Sequence, residues 1–112
     1  MSGDLILLQR RRARPVRRFV LSEGRFILGR STDCNIIVEH PTVSRRHCEI
    51  WVSSGRIRIF DLGSRNGTFI DETPVHECPA IREGQYLRCG DVSFTLSLDH
   101  ADDNATSRRR TA

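Results

Sequence analysis

The chain has 112 residues, 38% of them hydrophobic, and a formal net charge of +4, enough for one small domain with a single core. It contains no run near the roughly 18 apolar residues of a membrane helix, and Met1-Ser2-Gly3-Asp4 lacks the basic-then-apolar layout of a secretory signal. A cytoplasmic protein is therefore expected, with Cys34, Cys48, Cys78 and Cys89 reduced. All 18 basic residues are arginines, so every fixed cation is a planar fork suited to phosphate or carboxylate.

Leu5 to Gln9 is short, apolar and ungapped, as in a buried strand. The basic stretch Arg10-Arg11-Arg12-Ala13-Arg14 comes next and ends at Pro15. Val16 to Leu21 reads as a second strand with Arg17 and Arg18 facing water, Ser22-Glu23-Gly24 as a turn, and Arg25 to Gly29 as a third strand. Ser31 to Asn35 has loop chemistry, because these side chains compete for backbone hydrogen bonds. Ile36 to Val38 is a short strand and Glu39 to Arg46 a long loop.

From Cys48 the pattern turns to strict alternation. Cys48, Ile50 and Val52 face one way and Glu49, Trp51 and Ser53 the other. Ser54-Gly55 is a hairpin turn, and Ile57 and Ile59 then point inward between arginines. Asp61 to Asn66 forms a loop and Thr68 to Ile70 a strand, and Pro74 and Pro79 break up the segment between that strand and Tyr86. Tyr86 to Arg88 is a strand, Gly90-Asp91 a turn, and Val92, Phe94, Leu96 and Leu98 alternate with polar residues in the last strand. No segment holds an apolar period of 3.6. The expected fold is all-β, a sandwich of mostly antiparallel strands with almost no helix, over residues 1–98. Residues 99–112 lack any apolar run and are expected to form a disordered polar tail.

Three loops carry chemistry. A phosphorylated side chain has about −1.5 to −2 charges and three acceptor oxygens. Arg30, after Gly29, supplies a fork donor, with the glycine letting the chain turn close to a ligand. Ser44 supplies a hydroxyl and Arg45 a second cation. Asn66, between Arg65 and Gly67, has the donors and acceptor to pair with a peptide backbone.

Gly29-Arg30, Ser44-Arg45-Arg46-His47 and Ser64-Arg65-Asn66-Gly67-Thr68, at this spacing, closely resemble the forkhead-associated (FHA) domain family. Phe26 to Arg30, Asp61 to Ser64 and Leu87 to Asp91 extend the likeness, which covers roughly residues 3–98. The resemblance implies an FHA-type β-sandwich of about eleven strands, with the binding loops at one end. It also implies a non-catalytic adaptor that recognises phosphothreonine peptides made by an upstream Ser/Thr kinase. Carried over by position, Arg30 and Ser44 contact the phosphate and Arg45 assists at its edge. Asn66, with Arg65 at the rim, holds the peptide backbone. Gly29, His47, Gly67 and Thr68 support the loops. The chain departs from the family where Asp71-Glu72 replaces a frequent Asn-Gly, leaving that turn open.

Rival readings are fewer. His76-x-Cys78 and the adjacent His47-Cys48 lack zinc-type spacing, and neighbours on a strand face opposite sides, so no metal is expected. No nucleophile elbow or P-loop points to an enzyme, and nothing calls for a cofactor. Arg10 to Arg18 includes six arginines, enough for a salt-dependent nucleic-acid surface. Few aromatics accompany them, as a stacking surface would need. A degenerate FHA scaffold binding unphosphorylated partners is the other alternative, against which Arg30, Ser44 and Asn66 stand intact.

Overall fold

In a computed structural model, residues 4–76 and 78–99 are described. Eleven strands are formed: β1 (Asp4–Gln9), β2 (Arg17–Leu21), β3 (Gly24–Gly29), β4 (Ile36–Ile37), β5 (Cys48–Ser53), β6 (Arg56–Asp61), β7 (Thr68–Ile70), β8 (Thr73–Pro74), β9 (Ala80–Ile81), β10 (Tyr86–Cys89) and β11 (Val92–Asp99). They build a six-stranded sheet in the order β2-β1-β11-β10-β7-β8 and a five-stranded sheet β4-β3-β5-β6-β9. Only β3 and β4 pair in parallel among the described residues. The chain is an all-β sandwich of mostly antiparallel strands, as the alternation predicts. No helix of the described residues is long and apolar enough to cross a membrane.

The alternating strands put one face of each sheet into a shared core. Ile50, Ile57, Ile59, Leu87 and Phe94 are essentially inaccessible, and each such side chain contributes about 1.5–3 kcal/mol by leaving water. On the outer face of the five-stranded sheet, Trp51 lies 4.4 Å from the Phe60 ring and under the Arg25 guanidinium at 3.9 Å. Cys48 and Cys89 meet across the core with their sulfurs 3.8 Å apart. The hydrogen bond with Cys48, then burial, pushes the Cys89 thiol well up from its ordinary range.

Two expectations are corrected. Arg18 is exposed, but Arg17 is half-buried. Alternation along the edge strand β2 places Arg17 on the inner face with Phe19 and Leu21; its guanidinium covers the Phe19 ring at 4.7 Å and donates to the Ile37 carbonyl at 3.3 Å. The proline-broken region nevertheless pairs, through the two-residue strands β8 and β9 at the sheet edges, where proline's missing donor costs least.

Asp71 and Glu72 close the β7–β8 hairpin with φ of 48° and 66°, a left-handed pair that Asn-Gly adopts more easily. Side-chain bonds compensate. Asp71 accepts from the Tyr86 N–H at 2.9 Å, and Glu72 accepts from Arg88 at 2.8 Å and the Tyr86 hydroxyl at 2.9 Å. Arg88, then Tyr86, holds the Glu72 carboxyl below its usual range. Asp99 closes β11; the remainder of the expected tail lies outside the described residues.

Candidate functional site

The site begins where β3 ends. Gly29 is buried directly beneath the backbone of Arg45, and a Cβ there would overlap the Arg45 carbonyl oxygen. Only glycine lets the β3–β4 and β4–β5 loops lie this close. Across the contact, the Arg30 N–H donates to the Ser44 carbonyl at 2.9 Å and the Ser31 N–H to the Arg45 carbonyl at 3.1 Å. The Arg30 side chain is fixed by its Nε, which donates to the Val43 carbonyl at 2.9 Å. Its two terminal nitrogens engage no other group among the described residues, and Arg30 is exposed. The fork is thus aimed by its base and left open at its tip.

Ser44 stands beside it. Its Oγ accepts from the Arg65 N–H at 3.0 Å, so the hydroxyl proton remains available to an acceptor. Asn66 donates through Nδ2 to the Thr42 carbonyl at 2.8 Å, which fixes the amide while leaving its Oδ1 and second N–H for a ligand. Arg30, Ser44, Arg65 and Asn66 are therefore brought to one place by bonds among three loops. Arg45 is exposed at the same loop, and its carbonyl also accepts from the Cys34 thiol at 3.1 Å.

His47 sits behind this front, with no exposed surface. Its Nδ1 accepts from the Ser44 N–H at 3.0 Å and its Nε2 donates to the Gly67 carbonyl at 2.8 Å, an arrangement that fixes the proton on Nε2. Its backbone joins in, donating to Leu28 at 2.9 Å and accepting from Leu62 at 3.0 Å. One residue thus ties β3, the Ser44 loop and the Asn66 loop together. Gly67 holds φ of 89° at the end of that last loop. Thr68, buried, donates from Oγ1 to Asp61 at 2.6 Å.

Two contributors lie outside the candidate site residues, although Asp61 begins one of the stretches that extend the family likeness. Asp61 organises the β6–β7 loop from below, accepting from the Ser64 hydroxyl at 2.5 Å, the Ser64 N–H at 3.1 Å and the Gly63 N–H at 3.0 Å. Partial burial pushes its carboxyl up, but the bonds from Ser64 and Thr68 outweigh this and hold it below its usual range. An aspartate three residues before a serine in a loop is a legible turn signal. Thr42 is the other: besides the Asn66 amide, it receives the Asp91 N–H on its Oγ1 at 2.9 Å, and its own N–H donates to His40 Nδ1 at 3.2 Å. Nothing local in the sequence marks its bridging role, because its Asn66 and Asp91 partners lie 24 and 49 residues away in the chain.

The arrangement presents hydrogen-bond donors and positive charge, which suits it to holding an anion. Comparison with known proteins gives the family. The FHA domain model matches residues 26–92. The glycogen accumulation regulator GarA of Mycolicibacterium smegmatis is 36% identical over 106 residues, covering 95% of this chain, which spans 66% of that relative's length. A structure described under phosphothreonine-dependent FHA domain interactions superposes with a TM-score of 0.77 at 29% identity, covering 84% of this chain and 95% of that one. The FHA domain of the CT664 protein from Chlamydia trachomatis superposes at 0.82 with 24% identity, over 88% of this chain and all of the other, a likeness of fold.

Proposed function

The chain belongs to the FHA domain family, and from that premise we propose that it is a non-catalytic phosphothreonine-peptide adaptor acting downstream of a Ser/Thr kinase in the cytoplasm. The observation that carries this is the Arg30 fork, anchored through Nε and open at its tip beside the Ser44 hydroxyl. Charge-assisted forks of this kind are the strong donors to phosphate, and recognition of phosphorylated motifs by arginine is an established mode of peptide binding. Arg30 and Ser44 take the phosphate, Arg45 assists from its edge, and Asn66 with Arg65 holds the peptide backbone. Gly29, His47, Gly67 and Thr68 keep the loops in register. A degenerate scaffold would have no reason to keep this set aligned.

Threonine is favoured over serine by its methyl group, worth about 1 kcal/mol in an apolar pocket. Arg45, Arg46 and Arg65 are exposed around the mouth, so acidic residues flanking the phosphothreonine are favoured. An array of phosphothreonine, phosphoserine and unphosphorylated peptides with varied flanks tests this. Binding confined to phosphorylated members, enriched in Asp and Glu, supports the reading. Indifference to phosphate overturns the function, and indifference to flanking charge overturns the preference.

A further inference from the structure

The loop between β1 and β2 carries Arg10, Arg11, Arg12 and Arg14 within five positions. Arg11 is held within its own loop, its Nε donating to the Pro15 carbonyl at 3.0 Å, and Arg17 is held by Phe19 and Ile37. Arg10, Arg12 and Arg14 are exposed and engage no carboxylate, carbonyl or ring among the described residues. These unneutralised cations border an open cleft of about 870 Å³, whose far wall is formed by His40 and its neighbours and by the start of β11. Glu39 and Asp91 are its carboxylates, set against five arginines.

An independent observation lies within the cleft. Gln9 is only 7% exposed, and its Oε1 is buried with no hydrogen-bond partner. Buried polar atoms in folded proteins are nearly always paired, so an orphaned amide in an arginine-lined cleft marks a place for a polar ligand. The orphaned oxygen accepts and cannot donate, so the amide's Nε2 is the end that would meet an anion there.

The cleft adjoins the Arg30–Ser44 site across a single residue. Thr42 gives its carbonyl to Asn66 on one side, and on the other it bonds Asp91 and His40, both of which line the cleft. A peptide held by Asn66 therefore passes the mouth of the cleft if it continues toward β11.

We propose that this cleft is a second anion subsite for the same ligand, taking a phosphate or carboxylate carried on the bound peptide some residues from its phosphothreonine. The inference rests on the phosphopeptide reading of the Arg30–Ser44 site. It gives the arginine loop a partner on the peptide, whereas the absence of interleaved aromatics leaves nothing there on which nucleic-acid bases would stack.

The test is calorimetric titration of the full chain with peptides carrying one phosphothreonine. A second group, phosphoserine or glutamate, is placed two to six residues away on either side, about 7–20 Å of extended chain. A second anion at one side and spacing tightens binding about tenfold. The combined variant Arg10→Gln, Arg12→Gln, Arg14→Gln abolishes that gain while binding the singly phosphorylated peptide as wild type does. A gain from phosphoserine alone assigns the subsite to phosphate; a gain from both assigns it to any anion. No gain at any spacing, or a gain that survives in the variant, overturns the subsite while Arg30-dependent binding still stands. No binding of the singly phosphorylated peptide by wild type overturns both readings; loss of that binding in the variant alone overturns the separation of the cleft from the Arg30–Ser44 site. A single-stranded oligonucleotide that binds wild type but not the variant, with no peptide gain, gives the cleft to nucleic acid instead.

Discussion

His47 offers the sharpest dissection of how the loops are held. The Ser44 N–H has its Nδ1 as partner, whereas the Gly67 carbonyl accepts both from Nε2 and from the Gly90 N–H at 3.1 Å. His47→Gln keeps a donor near the Nε2 position but orphans the Ser44 N–H. His47→Asn keeps an acceptor near Nδ1 and leaves Gly67 with one bond instead of two. An orphaned buried donor costs about 1–3 kcal/mol, a carbonyl that retains one partner about 0.5–1.5 kcal/mol. Each variant also loses packing around a fully buried ring, more for the smaller Asn, so total destabilisation is about 2–4 kcal/mol for both. The split appears in binding: His47→Gln frees the Ser44 loop and weakens phosphopeptide affinity roughly tenfold, about 1.4 kcal/mol, while His47→Asn weakens it about threefold or less. Urea denaturation and phosphopeptide titration of the two proteins measure both quantities. Equal affinity losses, or a His47→Leu protein as stable as wild type, would refute the assignment of His47 as the tie between loops.

Other consequences are simpler. Gly29→Ala drives a methyl into the Arg45 carbonyl and lowers the melting temperature by at least about 5 °C, by the usual cost of overpacking; an unchanged melting curve would contradict that contact. Asp61 is held below its ordinary pKa in the fold, so its contribution is present above the unfolded carboxylate value and lost as pH falls through the folded one. Wild type therefore loses more stability than Asp61→Asn between about pH 5 and 3, and parallel acid titrations of the two proteins read the difference. Truncation after Asp99 removes a stretch with no apolar run and leaves the melting temperature unchanged; a clear drop would show that the tail packs.

The sandwich was legible because its strands alternate. Ile50, Ile57 and Phe94 declare an inner face by period alone, and the turns between them carry glycine or polar residues. The candidate site's residues could be picked out for a different reason: Gly29-Arg30, Ser44 and Asn66 form a pattern that can be matched as residues without knowing how they meet. What escaped was whatever depends on partners far along the chain. Arg17 reads as a solvent arginine, yet the β1–β2 register turns it inward. Pro74 and Pro79 read as breaks, yet edge positions accommodate Pro74 and pairing begins directly after Pro79. The strain of Asp71-Glu72 is relieved by Gln85, Tyr86 and Arg88, some 14 to 16 residues away. Thr42 bridges two loops through bonds spanning 24 and 49 residues, a role no local pattern encodes.

The central claim is that Arg30 grips a phosphate on a peptide. Calorimetric titration with a degenerate phosphothreonine peptide pool and its unphosphorylated twin, on wild type and Arg30→Ala, tests it most directly. Wild type should bind the phosphorylated pool at micromolar level and the twin not measurably. Arg30→Ala should lose at least about tenfold, since each bond to a charged group is worth about 1.5–3 kcal/mol. Equal binding of the two pools by wild type, or unchanged binding by Arg30→Ala, would contradict the account.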